Sequence, residues 1–238
     1  MIKISSEKIV AKIDEFGAYI TDLKYNDMDI LYPKTELEIS GNLKLRGGSH
    51  VCFPVFGPAQ KIGLNQHGFG RELEWNILEV SENSVKLHLK NKFESWRDME
   101  ATLEYIVKGE TLVCKLKVKN KGGNDLQISP GFHPYFKLYG EKEFRIDGEN
   151  INFDDPKLRD TLFKKDVKEL ETKRYIIKFK NQDLSKFAIW TDQVDDYICV
   201  EPTNRGIALS KGEKLLLIRR GETKSFSFEI LISEIKKD

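Results

Sequence analysis

Residues 102–119, TLEYIVKGETLVCKLKVK, contain two runs in which apolar and polar side chains alternate. This spacing is typical of a β-strand that has one face buried and the other in water. The turn signal KGE, at 108–110, separates the two runs. The stretch therefore predicts two half-buried strands with a short turn between them.

The same alternation recurs along most of the chain. In residues 84–90, Val85, Leu87 and Leu89 fall on one face, and two lysines and a histidine fall on the other. Comparable runs, separated by turn signals rich in glycine, asparagine and aspartate, are 8–14, 174–180, 214–220 and 225–233. Many strands at short spacing predict an all-β fold, either a β-sandwich or a barrel of antiparallel strands.

One segment, residues 156–170, has apolar residues at helical spacing. Leu158, Leu162 and Leu170 belong to a short apolar stripe that a helix would bury. The sequence alone does not decide whether this segment is helical.

Composition limits the organisation and the partners. The chain has 238 residues, and 39 lysines and arginines nearly balance 38 aspartates and glutamates. The net charge of +1 gives no general attraction to nucleic acid or to an anionic membrane. Because no linker, repeat or low-complexity tract interrupts the sequence, we expect a single domain over residues 1–238, in a monomer or homodimer.

The first residues and the cysteines indicate the compartment. The opening MIKISSEKIV alternates and lacks the apolar core of a signal peptide. No apolar run approaches the ~20 residues of a membrane helix. Cys52, Cys114 and Cys199 lie in apolar runs, without a C-x-x-C pair. We therefore expect buried, reduced cysteines in a cytoplasmic protein that has no membrane partner.

Residues 46–75, RGGSHVCFPVFGPAQKIGLNQHGFGRELEW, break the alternating pattern. Two arginines, two histidines and six glycines are crowded there among apolar residues. The two glycines after Arg46 allow a sharp turn or a close approach to a ligand. His67 and Arg71 flank a flexible turn, and arginine offers a fixed fork of donors for hydroxyl, carboxylate or phosphate oxygens. This segment is a candidate binding wall.

A second exception is SPGFHPYFKL, residues 129–138. His133 lies between aromatic residues and before a proline, which favours an extended backbone. An imidazole held among aromatic side chains can exchange a proton near neutral pH. The alternative is a core histidine with satisfied nitrogens.

A third exception is YICVEPTNRG, residues 197–206. Glu201 ends an apolar run and precedes a proline. Partial burial would raise its pKa, which suits a general base. The alternative is a glutamate at the end of a strand, paired with Arg205.

The sequence lacks several motifs that would indicate nucleotide binding, a metal site or a serine nucleophile. The glycines of 46–75 match neither a phosphate-binding P-loop nor a dinucleotide fingerprint, and no H-x-H or H-E-x-x-H pattern is present. A nucleophile elbow does not occur either. We expect neither a metal nor a cofactor, and we interpret His50 and His88 as structural or solvent-facing.

Together these segments resemble the aldose 1-epimerase family, the galactose-mutarotase-like proteins. The resemblance lies in RGGSHVCFPVFGP, QHGFGRELEW, GFHPYFKL and CVEPTNRGIAL, which follow one another in that order. It implies a large antiparallel β-sandwich and an enzyme that interconverts the α and β anomers of a sugar, an isomerase acting on a small-molecule sugar or sugar phosphate.

The resemblance also implies roles for individual residues. His133 is similar to the acid that protonates the sugar ring oxygen, and Glu201 to the base that takes the proton of the C1 hydroxyl. His67 is similar to a histidine that binds near the ring. Arg46 and Arg71 resemble arginines that contact the substrate.

Two details of binding follow from the same resemblance. Phe69, Tyr135 and Phe136 are candidates for packing on the C–H face of the sugar. Members of the family carry an aspartate that binds a sugar hydroxyl, and no motif selects among the candidates here, which are Asp154, Asp155, Asp160 and Asp166.

Three questions stay open. The glycine-flanked arginine motifs favour a hexose-6-phosphate 1-epimerase, whereas HPYF favours an epimerase of free aldoses. A carbohydrate-binding β-sandwich without turnover is a further alternative, as is a β-sandwich with a structural role. The enzyme hypotheses require that folding brings His133 and Glu201 into one pocket sized for a pyranose.

Overall fold

The computed structural model describes residues 1–235, and it is built almost entirely of β-strands. In chain order the strands are β1 (Ile2–Ser5), β2 (Ile9–Asp14), β3 (Tyr19–Tyr25), β4 (Met28–Asp29), β5 (Thr35–Ile39), β6 (Asn42–Arg46), β7 (Ser49–Cys52), β8 (Trp75–Val80), β9 (Ser84–Leu89), β10 (Met99–Lys108), β11 (Thr111–Asn120), β12 (Leu126–Ile128), β13 (Gly131–Lys137), β14 (Glu143–Ile146), β15 (Glu149–Asn152), β16 (Leu162–Lys165), β17 (Glu169–Glu171), β18 (Tyr175–Gln182), β19 (Lys186–Trp190), β20 (Tyr197–Thr203), β21 (Leu216–Ile218) and β22 (Thr223–Glu234).

Helices are short throughout the described part of the chain. The 3₁₀ helices are Gln60–Ile62, Gly70–Glu72, Glu94–Trp96 and Pro156–Leu158, and the α-helix α1 spans Ala208–Lys211. None of these helices has the length and apolar character needed to cross a bilayer.

Two large antiparallel sheets form a β-sandwich, as the sequence and its resemblance predicted. The first sheet has the strand order β1-β2-β3-β7-β13-β20-β19-β16, with β4 paired to β3. The second has the order β15-β14-β17-β18-β22-β11-β10-β9-β8. Two small sheets, β5-β6 and β12-β21, lie outside these two.

Residues 102–119 form two adjacent interior strands of the second sheet, β10 and β11. β10 and β11 pair in antiparallel register from Met99 opposite Asn120 to Lys108 opposite Thr111. Gly109, in the turn, has a φ of +56° that glycine adopts without strain. The alternate apolar residues of both strands are buried, which confirms the prediction of two half-buried strands.

The core lies between the two large sheets. Alternate residues such as Ile9 and Ile13 of β2 pack in the same buried apolar cluster as Leu103 of β10 and Leu116 of β11. Each sheet therefore has one face in the core, and its other face is left for solvent or for a site.

No helix beyond one 3₁₀ turn forms over residues 156–170. That turn, Pro156–Leu158, is followed by β16 and β17. Thr161 and Asp166 adopt positive φ values of +67° and +50°, which a helix does not allow. Pairing of β16 with β19 at the edge of the first sheet overrides the helical spacing, because it places this segment in a hydrogen-bonded ladder.

Candidate active site

The site forms on the face of the first sheet that is turned away from the core. On β13, Phe132 and Phe136 point into the core, whereas His133 and Tyr135 line a cavity. Successive side chains of a strand point to opposite faces, so the motif GFHPYFKL divides into a core half and a cavity half.

The strands on either side of β13 divide in the same way. On β7, Val51 is in the core and His50 lines the cavity. On β20, Val200 is in the core and Glu201 lines the cavity. Three adjacent strands thus place ionisable side chains side by side.

The cavity has a volume of about 780 Å³, which accommodates a sugar with room for bound water. The structure brings all five predicted site residues together in its wall. They are Arg46, His67, Arg71, His133 and Glu201.

His133 and Glu201 are neighbours across two paired strands. The register that places Gly131 opposite Thr203 and Tyr135 opposite Cys199 sets His133 across from Glu201. Their Nε2 and Oε2 atoms lie 3.3 Å apart, and both side chains are buried. Within residues 1–235, neither Glu201 Oε2 nor His133 Nδ1 has a hydrogen-bond partner, although the distance between the two side chains is that of an ion pair.

Burial sets the proton affinity of this pair. It raises the pKa of the Glu201 carboxyl well above its usual value, because a buried carboxylate loses its hydration. It lowers the pKa of His133 for the same reason, and the neighbouring His50, His67 and the two arginines add to this effect. Both directions favour a pair that holds one proton.

His67 is held as a neutral ring with a known tautomer. Its Nδ1 accepts a hydrogen bond from the Gly57 N–H at 3.2 Å, so the ring proton lies on Nε2. Burial, together with the charge of Arg71, lowers the pKa of His67 to about 3. The ring lies 5.1 Å from that of His133, centroid to centroid, and can donate a hydrogen bond beside it.

The RGG turn places Arg46 at the cavity. A side chain at Gly47 would lie 2.1 Å from the Pro33 carbonyl oxygen, and one at Gly48 would lie 2.3 Å from that of Ile20. Both glycines also have positive φ values. The two glycines therefore allow the turn to pack closely against neighbouring backbone, rather than making room for a ligand.

Arg46 is fixed by an aspartate that lies far from it in the sequence. Its Nε donates to Asp192 Oδ2 at 2.8 Å, and Asp192 Oδ1 accepts from the Tyr197 hydroxyl. The guanidinium also lies over the Trp190 ring, 5.6 Å from its centroid. Arg46 is thus a pre-positioned donor with its charge largely balanced.

Other cations line the cavity. Lys34 is paired with Asp14 at 3.5 Å. Arg71 donates to the Gln66 carbonyl oxygen at 3.0 Å. Among the described residues, neither Arg71 nor Lys44 forms an ion pair, so these two cations are available to an anionic group.

Some of the sequence interpretations need correction. Of the three aromatic residues proposed to pack on a sugar, only Tyr135 lines the cavity. Phe69 is buried, stacked on Phe93, and Phe136 packs against Phe179 in the core. Other aromatic residues line the wall, namely Phe16, Tyr19, Phe56, Phe163 and Trp190.

The structure also gives the positions of the candidate aspartates, of Arg205 and of His50. Of the four candidate aspartates, Asp160 alone lines the cavity. Arg205 donates to the Lys214 carbonyl oxygen, and the partner across from Glu201 is His133 rather than Arg205. His50 is buried in the cavity wall, with its ring 4.9 Å from that of His133.

Sequence reasoning missed the cavity residues Lys44, Tyr19 and Trp190, and it also missed Asp192, the partner of Arg46. The Tyr19 hydroxyl donates to the Gly47 carbonyl oxygen at 2.7 Å, which ties β3 to the RGG turn. The alternation along β19 gave one usable signal. Trp190 and Ala188 are two positions apart and lie on the same face of the strand, whereas Ile189 between them points into the core. The order of strands in the sheet was needed to place these residues at the cavity.

The cysteines are buried and unpaired, as predicted. One of them, Cys199, lies on β20 beside the acid–base pair. One ligand atom each of His133, Cys199 and Glu201 lies within 4.8 Å of the other two, and among residues 1–235 this trio is a cluster that could hold a metal ion.

Comparison with known families supports the resemblance seen in the motifs. Residues 1–215 match the sequence model of the family described as aldose 1-epimerase. This chain belongs to the aldose 1-epimerase family.

Curated relatives of the chain lie in two enterobacteria. A Salmonella typhimurium protein named "Putative glucose-6-phosphate 1-epimerase" is 26% identical over 162 residues, which are 65% of this chain and 54% of the relative. An Escherichia coli protein of the same name is 24% identical over 163 residues, again 65% and 54%. The chain therefore matches about half the length of these relatives.

Solved structures share the fold. The galactose mutarotase related enzyme from Lactobacillus acidophilus superposes with a TM-score of 0.81 at 22% identity, covering 99% of both chains. The Slr1438 protein from Synechocystis superposes with a TM-score of 0.78 at 20% identity, covering 98% of this chain and 96% of the other. Both structures therefore share the β-sandwich fold over nearly the whole chain.

Proposed function

We propose that the protein is an aldose 1-epimerase that interconverts the α and β anomers of an aldohexose by general acid–base catalysis. The observation that carries this proposal is the pairing of His133 and Glu201. Two proton-exchanging groups lie 3.3 Å apart in a cavity of about 780 Å³.

The proposed reaction opens the sugar ring. The Glu201 carboxylate accepts the proton of the C1 hydroxyl, the O1 electrons form the C1=O1 double bond, and the C1–O5 bond breaks. The O5 electron pair takes a proton from His133. Because O1 and O5 are bonded to the same carbon, an acid and a base this close together can reach both oxygens at once.

Reclosure completes the exchange. Rotation about the C1–C2 bond presents the other face of the aldehyde to O5. The O5 hydroxyl attacks C1 and returns its proton to His133, while Glu201 returns a proton to O1. The two groups exchange roles between opening and closing, so the enzyme ends in its starting state.

The number of protons on the pair limits the reaction. Catalysis needs one proton shared between His133 and Glu201, since a doubly protonated pair lacks a base and an unprotonated pair lacks an acid. Raised Glu201 and lowered His133 pKa values keep the pair in this singly protonated state. The single proton can lie on Glu201, which leaves both groups neutral, or on His133, which leaves a carboxylate beside an imidazolium. Binding of a sugar hydroxyl to the carboxylate favours the second arrangement.

Neighbouring groups are suited to hold the ring. His67 presents an Nε2–H donor beside His133, as its bond from Gly57 requires. Trp190 and Tyr135 offer flat apolar faces for the C–H side of a pyranose. Arg46, fixed by Asp192, provides a rigid donor for a sugar hydroxyl.

A second candidate is a hexose-6-phosphate 1-epimerase. Lys44 and Arg71 favour it, because they line the cavity and form no ion pair within the described chain. The curated relatives carry the name of a glucose-6-phosphate 1-epimerase, which points the same way. The alternative of a binding module without turnover does not explain why a carboxyl and an imidazole lie buried side by side.

A polarimetric screen tests the proposal. Freshly dissolved α-glucose, α-galactose and α-glucose 6-phosphate are followed with and without the protein. We expect faster decay to the anomeric equilibrium with at least one of them. Saturable binding of these sugars without any acceleration would refute catalysis and favour the binding module.

A further inference from the structure

His133, Cys199 and Glu201 form a trio of metal-ligating residue types, and the proposed reaction uses only two of them. One ligand atom of each residue lies within 4.8 Å of the other two. Cys199 and Glu201 occupy the same face of β20 at positions two apart, and His133 on β13 lies opposite Glu201, next to the Tyr135 that is opposite Cys199. The backbone of two paired strands therefore fixes all three side chains.

Two atoms of this trio are buried without a partner. His133 is 5% exposed and Glu201 is 2% exposed, and His133 Nδ1 and Glu201 Oε2 have no hydrogen-bond partner in residues 1–235. Leaving a buried polar atom without a hydrogen-bond partner destabilises the folded protein. The unpartnered Glu201 Oε2, which lies 3.3 Å from His133 Nε2, therefore favours a ligand between the two side chains.

The donor set selects the kind of cation. A thiolate, an imidazole and a carboxylate are ligands that Zn²⁺ accepts in four-coordinate sites, whereas Mg²⁺ and Ca²⁺ prefer oxygen. The two anionic ligands balance the charge of a divalent ion, which matters in a buried place. A fourth position would open toward the cavity that His133 and Glu201 line.

We propose that His133, Cys199 and Glu201 form an inhibitory site for a thiophilic divalent cation, Zn²⁺ or Cd²⁺, which competes with the sugar. On binding, bonds form from the ion to sulfur, nitrogen and oxygen, and any proton on the thiol or the carboxyl leaves to solvent. The ion then occupies both the acid and the base of the epimerase. Inhibition rests on the proposed function, but metal binding does not.

Binding is measured without any sugar by titrating Cd²⁺ into the protein and recording the ultraviolet thiolate-to-cadmium charge-transfer absorption. We expect a band that saturates at one equivalent and is removed by excess Zn²⁺ but not by Mg²⁺. Cys199→Ser should abolish the band. Cys52→Ser is the matched control, since Cys52 is equally buried on β7 in the same sheet, and it should keep the band.

Glu201→Gln supplies an independent arm in case Cys199→Ser does not fold. It keeps the thiol, so the band should persist, with the Cd²⁺ affinity lowered by more than about tenfold, because even outer-shell partners of metal ligands contribute that much. Absence of a band at saturating Cd²⁺ would overturn the site. A band lost in Cys52→Ser and kept in Cys199→Ser would do the same.

The activity arm uses wild-type protein and its best substrate. We expect Zn²⁺ to slow anomer exchange, high sugar to protect, and Cys199→Ser to resist the metal. Acceleration by Zn²⁺, or equal inhibition of Cys199→Ser, would contradict the inhibitory role. If no sugar is turned over, the proposed function fails, while the cadmium band still decides the metal site.

Discussion

His133 and Glu201 face each other across the paired strands β13 and β20, with Nε2 and Oε2 3.3 Å apart in a common cavity wall. The two residues are 68 positions apart in the sequence, and antiparallel register brings them together. This relationship places side by side the two residues that we propose as acid and base, each of which local sequence alone also allows to be structural.

The first prediction concerns the pH dependence of catalysis. Because the pair is active with one proton, kcat/KM should follow a bell-shaped profile. Activity falls at low pH as the pair takes a second proton, at the lowered pKa of His133, and falls at high pH as it loses its last, at the raised pKa of Glu201. Initial rates across the pH range in which the protein stays folded measure this. A rate that rises steadily with pH would show that no acid is needed.

The fold was predictable because it depends on local alternation. Val85, Leu87 and Leu89 are buried, as their spacing required. The segment 156–170 was not predictable, since its apolar spacing fits a helix and only its pairing with β19 makes part of it a strand. Such pairing is a long-range choice that local propensity does not contain.

The candidate site was predictable in part. Parity along β13 shows that Phe136 lies on the face opposite to His133 and Tyr135, so its place in the core follows from alternation. The contact between Arg46 and Asp192 does not follow, because 146 positions separate the two residues. Assigning Trp190 to the cavity likewise needed the strand order of the first sheet.

The second prediction concerns Asp192 as a positioning residue. Asp192→Asn should raise KM and leave kcat within a few-fold, because Arg46 loses the carboxylate that fixes it. Loss of this charge-assisted hydrogen bond should also lower the free energy of unfolding by about 1–3 kcal/mol. Steady-state kinetics and urea unfolding measure the two effects. Arg46→Lys, which keeps the charge but not the fork, is the companion variant, and an unchanged KM in both would exclude the role.

The third prediction separates free from phosphorylated sugars. If the substrate carries a phosphate, Arg71→Ala should raise KM for the hexose 6-phosphate by about tenfold or more and leave KM for the free hexose nearly unchanged. Lys44→Ala should act in the same direction. Lys142→Ala removes an exposed cation that lies outside the cavity lining and serves as the control. Equal effects on both sugars would count against a phosphate site.

The fourth prediction concerns stability at low pH. The pKa of His67 is about 3 in the folded protein, compared with about 6.5 for an ordinary histidine. The unfolded chain therefore binds a proton that the folded protein does not, and stability is lost as pH falls from 6.5 toward 3. At pH 5 this group alone should cost about 2 kcal/mol.

Substitution isolates that contribution. His67→Asn keeps a residue type that tolerates the φ of +67° at this position. The difference in unfolding free energy between neutral pH and pH 5 should shrink by about 2 kcal/mol in this variant. His88→Asn, on β9 of the second sheet, controls for the loss of a histidine elsewhere. An undiminished pH dependence in His67→Asn would show that His67 is not the group responsible.

The central claim is that the carboxyl of Glu201 and the imidazole of His133 exchange protons with a sugar. Magnetisation-exchange NMR between the α and β anomeric signals, at equilibrium, measures the catalysed interconversion directly for wild-type protein and Glu201→Gln. We predict enhanced exchange with wild-type protein and a loss of about 10²–10⁴-fold in the variant, whose fold is checked by circular dichroism. Undiminished exchange in a folded Glu201→Gln protein would contradict it.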